Sequence, residues 1–289
     1  MAKSFSSKHL LAETSPHHLQ RVAIGAFLSF FVFIGAFITT VLGGFIARVV
    51  SQQINLSAVA ALCVLAFTLC VYRLLPSDLD GHKGDDETAA KIPLFGKSVT
   101  SLWFIGFGFL AALIAEGSAS DWGALLLRDD MGIGKGVNAS AYASFALAMI
   151  VSRFLGDRAL DYFGPARLVK LGGYIGGSIW GIALAISIPM SDSYPIPALI
   201  IVNIGFIAAG LGIGPMFPAF ILAASKTPGI APAVAISRVG VIGIAGFFFG
   251  PTITGLIAEY TNLSIGMAYP VLMLILAGFL SKSIKTGKA

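Results

Sequence analysis

Two acidic residues inside a long apolar stretch are the side chains of this chain best suited to chemistry. Glu116 and Asp121 lie within Thr100–Leu127, whose other residues are almost all apolar or small. An ionised acid at the centre of a bilayer costs about 2.5–3.5 kcal/mol on insertion scales, so an acid in such a place needs a partner or a task. Both acids are therefore candidates for binding a proton or contacting a solute.

Each acid also has a purely structural interpretation. On a helix the two side chains point about 140° apart, so they do not form one site. Glu116 shares its face with Ser120, and it either lines a path or bonds to a neighbouring helix. Asp121 either lines the same path or meets the outer lipid headgroups together with Arg128.

Two more residues are candidates for the same path. Trp122 directly follows Asp121, and Asn203 lies within the apolar stretch Ile196–Ala224. An indole ring can stack on a sugar-like solute, but tryptophan is also a common anchor at the membrane interface. Both interpretations of Trp122 stay open at this point.

The composition decides what kind of protein must position these residues. Hydrophobic residues make up 56% of the 289 residues and charged residues 11%, whereas soluble domains carry about 25% charged residues. A soluble globule with so few charges could not cover its surface with polar groups. The composition equally excludes a disordered chain and a coiled coil, and it indicates a polytopic membrane protein.

Eight apolar stretches are long enough for helices that cross a hydrocarbon core of about 30 Å. The fold class expected is therefore an all-α membrane protein with eight transmembrane helices. In chain order the predicted spans are Val22–Val50, Leu56–Leu75, Thr100–Leu127, Asn138–Leu155, Leu168–Met190, Ile196–Ala224, Ala233–Glu259 and Ser264–Lys282.

The basic residues indicate how these spans are oriented. All but three of the 19 Lys and Arg residues fall on one side of the predicted topology, which the positive-inside rule assigns to the cytoplasm. Both termini are thus expected in the cytoplasm. The net charge of +5 belongs to this inner rim and does not indicate a nucleic-acid partner. The predicted segments are a cytoplasmic N-terminus (1–21), two helices (22–75), a cytoplasmic linker (76–99), six helices (100–282) and a cytoplasmic tail (283–289).

Three asparagines on the predicted outer side each begin an N-x-S triplet. Asn55, Asn138 and Asn262 directly precede or begin a predicted span. Although the triplet matches a glycosylation acceptor, asparagine at the start of a helix commonly caps it. Helix capping is the interpretation we favour.

Glycines in the first and seventh spans recur at matching positions. Gly35 and Gly44 of the first span correspond to Gly246 and Gly255 of the seventh. The last two helices therefore resemble a second copy of the first two, as in transporters built from repeats. We expect a packing or kinking role for these glycines and for two residues between them, Gly250 and Pro251.

If the repeat unit is six helices, Thr100–Lys282 is a whole unit and the first two helices are the end of another. The phase of the repeat then predicts that the chain begins at the fifth helix of a twelve-helix plan, with four helices absent before Met1.

The connection between the fourth and fifth spans reads RFLGDRALDYFGPARL. It resembles the loop signature of the major facilitator superfamily, G-x-x-x-D-R-x-G-R-R, although Tyr162 replaces an arginine and Gly156 lies one residue further upstream. The stretches EGSASDW and GLGIGPMFP, with Gly246-x-x-x-Gly250-Pro251, are similar to uncharacterised bacterial members related to fucose permeases. The loop residues that carry the resemblance are Arg153, Gly156, Asp157, Arg158, Asp161, Gly164 and Arg167.

The resemblance implies a C-terminal six-helix bundle preceded by the last two helices of an N-terminal bundle. It implies a plasma-membrane permease that moves a small solute by alternating access, driven by a solute or proton gradient, with no bound cofactor. It also implies a gating loop in which Asp157 or Asp161 lies near the start of the first span, at Ser15–Arg21.

A second interpretation remains open, namely a non-transporting membrane fragment or a subunit that needs a partner to complete the cavity. An enzyme is not expected, and neither is a metal site within the membrane, because no histidine falls within a span. The solute, the coupling ion, the direction of transport and the oligomeric state do not follow from the sequence.

Overall fold

The computed structural model describes residues 51–71, 96, 99–134 and 136–284. The chain divides into two units, which are described separately. The first contains helix α1 (Gln52–Val71), which begins before the predicted Leu56 because Ser51 Oγ accepts a hydrogen bond from the backbone N–H of Ile54 at 3.5 Å. Asn55 therefore lies inside the helix, and the capping role predicted for it is wrong. The first predicted span, with Gly35 and Gly44, lies outside the described residues.

The second unit is helical wherever the structure describes regular elements. Its helices are α2 (Thr100–Leu125), α3 (Ser140–Phe163), α4 (Pro165–Leu171), α5 (Gly177–Met190), α6 (Pro195–Ile213), α7 (Met216–Ser225), α8 (Pro232–Ile244), α9 (Gly246–Tyr260), α10 (Leu263–Gly266) and α11 (Ala268–Leu280). A π-helical segment, Leu126–Asp130, extends α2, and a second one, Gly172–Gly176, joins α4 to α5.

These helices combine into six stretches that are long and apolar enough to cross a membrane. They are Thr100–Asp130, Val137–Gly156, Pro165–Met190, Pro195–Ser225, Pro232–Tyr260 and Leu263–Ser283. They correspond to the last six spans predicted from the sequence, so the described part of the chain is a multi-pass membrane protein.

Helix α2 lies at the centre of the second unit. It packs against α8, α9 and α11, and also against α3 and α7. Of the 18 residues that form the apolar segment of this stretch, 78% are buried. The corresponding share in the other five stretches is 22–44%. The sequence explains this position, because glycine, alanine and serine dominate α2 from Gly106 to Gly123 and small residues let neighbouring helices come close. A polar side chain in the middle of α2 is consequently inside the bundle.

The aromatic core is distributed over α2 and several other helices of the unit. Its largest fully buried side chains are Trp180, Phe109, Phe145, Phe206 and Phe220. Trp180 of α5 packs against Phe206 of α6 at a ring-centroid distance of 5.6 Å. Many apolar side chains on the outer faces of the helices are exposed, which is the distribution expected of a protein that faces lipid on its outside.

Prolines account for two of the three interruptions in the spans. The first lies between α6 and α7, where α6 ends just before Gly214-Pro215. The second lies between α10 and α11, and α11 carries Pro270 in its first turn. Proline interrupts a helix because it has no N–H to donate to the preceding turn. The third interruption is at Ala245, between α8 and α9. Pro251, which the sequence suggested as the kink of this span, lies inside α9.

The predicted loop after the fourth span is helical, which corrects the sequence analysis. The fourth span was expected to end at Leu155, and the apolar stretch ends at Gly156. The helix α3 nevertheless continues to Phe163 and ends at Gly164, whose φ is +71°. Glycine adopts such a positive φ without the steric cost that a side chain brings. Pro165 then opens α4 at a helix position that needs no backbone donor. The residues of the loop signature that precede Gly164 therefore form the C-terminal part of α3.

Two helix crossings near the π-helical segment Gly172–Gly176 bring backbone against backbone. A Cβ placed on Gly172 would lie 2.5 Å from the carbonyl oxygen of Gly212 in α6, and one on Gly173 would lie 2.5 Å from the Cα of Gly278 in α11. Only glycine fits at such a distance. These contacts hold the π-helical segment close to α6 and α11.

Candidate functional site

An ion pair joins α2 to α3 in the middle of the bundle. Arg153 Nη2 donates a hydrogen bond to Glu116 Oε1 at 3.2 Å, and the two side chains are 36% and 11% exposed, respectively. Glu116 lies midway along Thr100–Asp130, because the span continues beyond the predicted Leu127. The sequence placed Glu116 in the outer part of a span that ended at Leu127, whereas the helical stretch continues to Asp130.

The pair lies at the wall of a cavity of about 440 Å³, which it shares with Phe217, Pro218 and Phe247. Phe217 and Pro218 belong to the first turn of α7, and Phe247 to the first turn of α9. Apart from the ion pair, the described side chains around the cavity are apolar. A bound molecule would therefore find one acid, one base and two phenyl rings there.

The sequence singled out both charged partners but not their contact. Glu116 was a candidate for the path and Arg153 for the cytoplasmic loop, so they were expected at different depths. Arg153 lies within α3, and α3 packs against α2, so the two side chains meet. Phe217 and Phe247 were missed. The chain has 22 phenylalanines, and nothing in the local sequence distinguishes these two from the others.

The neighbours of Glu116 on α2 do not contribute to the cavity in the way the sequence suggested. Ser120 donates its hydroxyl hydrogen to the backbone carbonyl of Glu116 at 2.8 Å, a bond within the helix that satisfies the hydroxyl locally. Asp121 is exposed. Arg128, which was expected to meet the outer headgroups together with Asp121, pairs with Asp129 at 2.6 Å.

Trp122 joins α2 to α9. Its Nε1 donates a hydrogen bond to the Pro251 carbonyl at 2.9 Å. A Cβ on Gly255 would lie 2.7 Å from Cζ2 of the indole ring, so the missing side chain leaves room for the ring. The remaining predicted packing glycines of α9 also meet α2, since a Cβ on Gly246 or on Gly250 would lie 2.6 Å from a backbone carbonyl oxygen of α2.

We predict that substitutions of Trp122 and Gly255 have non-additive effects on stability, because the two residues are in contact. Gly255→Ala should lower stability by about 1–2 kcal/mol in the wild-type background, because the new methyl group overlaps the indole ring. In a Trp122→Phe background the same substitution should cost less than about 0.5 kcal/mol, since a phenyl ring leaves that space empty. Melting temperatures of the four proteins in one detergent give the coupling energy. An equal loss in both backgrounds would contradict the fit.

Asn203 lies away from the cavity. Its Nδ2 donates to Ser140 Oγ at 3.1 Å and to the Leu199 carbonyl at 2.8 Å, so it connects α6 to the start of α3. Its Oδ1 is buried and has no hydrogen-bond partner among the described residues. The structure therefore gives Asn203 a contact between helices and does not bring it to the Glu116 cavity.

The other signature residues lie along the end of α3 and the turn after it. Gly156 is buried, whereas Arg158 and Asp161 are exposed. The guanidinium of Arg167 lies 5.7 Å from the centroid of the Phe163 ring, within range of a cation–π interaction. Nothing is described of the Asp157 side chain, and the contact predicted with Ser15–Arg21 lies outside the described residues.

Two outer-side asparagines differ in their roles. Asn262 caps a helix as predicted, because its Oδ1 accepts a hydrogen bond from the backbone N–H of Ile265 at 2.8 Å. Asn138 lies in a short 3₁₀ turn before α3, where its Oδ1 accepts from the Gly136 backbone and its Nδ2 donates to the Ala124 carbonyl. The capping role predicted for Asn138 is wrong.

Comparison with known proteins connects this arrangement to a large family. The sequence profile of the Major Facilitator Superfamily matches residues 7–233. The chain is 32% identical over 223 residues to an uncharacterised MFS-type transporter of Yersinia pestis, an alignment that covers 76% of this chain and 53% of the relative. No solved structure matches the chain.

Two rhizobial proteins are also similar. The membrane protein MosC of Rhizobium meliloti is 28% identical over 68% of this chain and 46% of its own length. An uncharacterised transporter of Sinorhizobium fredii is 27% identical over 55% of this chain and 40% of its own length. The chain thus spans about half the length of the curated relatives it matches.

Proposed function

The chain belongs to the major facilitator superfamily, and from this premise we propose that it takes part in secondary active transport of a small solute by alternating access. The observation that carries the proposal is the Glu116–Arg153 pair at a cavity inside the bundle. A buried ion pair is seldom better for stability than well-packed apolar residues. Ionisable groups within membrane spans typically mark the path of a solute or proton.

The pair can work as a contact that exists in one state and is broken in another. In the state described here it connects α2 and α3 through a single hydrogen bond of 3.2 Å. A solute or proton that competes for Glu116 removes the counter-charge of Arg153 and frees α3 from α2. Binding in the cavity is thereby coupled to a movement between helices, as a population shift requires.

The two phenyl rings of the cavity follow helix interruptions directly. Phe217 is the second residue of α7, after the break at Gly214-Pro215, and Phe247 is the second residue of α9, after the break at Ala245. Discontinuous helices at binding sites are common in transporters. A small change at either break moves its ring relative to Glu116, which supports a cavity that changes shape during transport.

The wider topology forms part of the same proposal. We assign eight spans to the chain, with 22–50 and 56–75 preceding the six described above and both termini in the cytoplasm of a plasma-membrane protein. The six described spans correspond to the C-terminal bundle of the family, and the subgroup related to fucose permeases supplies the nearest pattern. The end of α3, with Asp157 and Asp161, is assigned to gating. Protons, bound at Glu116, are the proposed coupling ion.

The test is solute accumulation by proteoliposomes that contain the full chain. Vesicles are incubated with a deproteinised cell extract under an imposed pH gradient, and their contents are identified by mass spectrometry. We expect at least one solute to accumulate tenfold or more above protein-free vesicles. Glu116→Gln should reduce this to the level of protein-free vesicles, while Asp192→Asn, which removes an exposed acid from the turn after α5, should keep it. Absence of uptake under either gradient direction would contradict transport and favour a non-transporting membrane protein.

A further inference from the structure

The ion pair at the cavity leaves much of its hydrogen-bonding capacity unused. Within the described residues, one nitrogen of Arg153 donates to one oxygen of Glu116, and the guanidinium makes no other contact with a protein acceptor. A guanidinium carries five N–H donors in a planar fork that matches a carboxylate in two parallel hydrogen bonds. Because the Arg153 side chain is 36% exposed, its unused donors remain accessible to a bound molecule.

The charge balance of the cavity restricts which solutes can use those donors. A solute with only a negative charge would take Arg153 and leave Glu116 without its counter-charge. A solute with only a positive charge would do the reverse. Leaving a partly buried charge without its partner weakens binding. A solute that carries both charges replaces each half of the pair and leaves neither unmatched.

The apolar wall argues against a neutral polyhydroxylated solute. Among the described residues, the other cavity side chains are Phe217, Pro218 and Phe247, which offer no hydrogen-bond donor or acceptor. Hydroxyl groups of a sugar placed against them would lose their hydrogen bonds to water without replacement. An apolar body fits there, and phenyl rings pack favourably on another aromatic ring.

We propose that the solute bound at this cavity is a zwitterion with an apolar body, of the class of aromatic α-amino acids, whose carboxylate pairs with Arg153 and whose ammonium group pairs with Glu116. This assignment rests on the transport function proposed above. An α-amino acid carries both charges on one carbon, so each of its charged groups can meet one member of the pair after the direct contact of 3.2 Å has opened by the width of the amino-acid headgroup. The cavity volume of about 440 Å³ lies within the usual range for small-molecule sites.

Four probes that differ in charge test the assignment on the purified full chain. L-phenylalanine carries both charges, 3-phenylpropionate only the carboxylate, and 2-phenylethylamine only the ammonium group, all on the same phenyl body, while L-fucose represents a neutral sugar. We expect isothermal titration calorimetry to give a Kd for L-phenylalanine at least tenfold lower than for any other probe. Equal or tighter binding of the anion, the cation or the sugar would overturn the zwitterion assignment.

Charge-neutral variants then assign each half of the solute to its partner. Glu116→Gln should abolish the preference for L-phenylalanine over 3-phenylpropionate, and Arg153→Gln should abolish its preference over 2-phenylethylamine. Asp192→Asn should keep both preferences. A variant that retains its preference contradicts the assigned pairing. If a variant does not fold, the comparison of the four probes on the wild-type chain still decides the proposal.

The two proposals fail in different ways. If vesicles accumulate a solute from the cell extract but none of the four probes binds, the zwitterion assignment is wrong and transport stands. If L-phenylalanine binds with the expected preference but no solute accumulates, the cavity is a binding site of the proposed class and transport is wrong. Absence of both binding and accumulation contradicts both.

Discussion

Removing both charges of the central ion pair should restore most of the stability that removing either one costs. We expect Glu116→Gln and Arg153→Gln each to lower stability by about 2 kcal/mol, somewhat below the 3–5 kcal/mol of a fully buried pair, because Arg153 is 36% exposed. For a unit of this size that loss corresponds to a fall in melting temperature of about 4–8 °C. The double variant should lie within about 0.5 kcal/mol of wild type, since two amides leave no unmatched charge.

Transport should not follow stability in this series. The double variant contains no charge to bind a solute or a proton at the cavity, so its uptake in proteoliposomes should stay at the level of protein-free vesicles. Melting temperatures in one detergent and uptake measured on the same preparations separate the two effects. Additive losses of stability in the double variant would show that the two side chains do not depend on each other. Recovery of uptake would show that the pair has only a structural role.

Composition and periodicity predicted the helical membrane-spanning part well. Each of the six described stretches that can cross a membrane overlaps one predicted span, because a bilayer requires long apolar runs wherever a helix crosses it. The ends of helices were predicted less accurately where charged residues follow an apolar stretch. α3 runs on to Phe163 through Arg153, Arg158 and Asp161, since charges at the end of a span do not stop a helix and Gly164 does.

The sequence predicted the two charged residues of the site but not the contact between them. Glu116 was found because an acid within an apolar run is unusual, and Arg153 because it belongs to a recognisable signature. Their contact depends on the depth at which α3 crosses α2, and this depth is set by packing between helices that are distant in sequence. The same limit applies to Trp122, whose partners Pro251 and Gly255 lie on α9. The local sequence does not determine which residues of two distant helices lie side by side.

The second large effect is expected at the crossing of the π-helical segment Gly172–Gly176 with α11. We predict that Gly173→Ala lowers stability by about 3 kcal/mol, at the upper end of the usual range for overpacking. The new Cβ would lie 2.5 Å from both the Cα and the backbone nitrogen of Gly278, and 2.8 Å from the Leu274 carbonyl oxygen. All three atoms belong to the backbone of α11, so no rotation of a side chain can relieve the overlap and the helices must separate.

A matched substitution elsewhere in the bundle should have the opposite sign. Gly240 lies inside α8, and a Cβ there would meet no atom of the residues that the structure describes within 4 Å. Gly240→Ala should therefore stabilise the protein by up to about 1 kcal/mol, because alanine loses less backbone entropy than glycine in a helix. Melting temperatures of the two variants in the same detergent give the comparison. A shift of the same sign and size in both would mean that helix propensity governs both sites, and that the close approach of Gly173 to Gly278 does not exist in the folded protein.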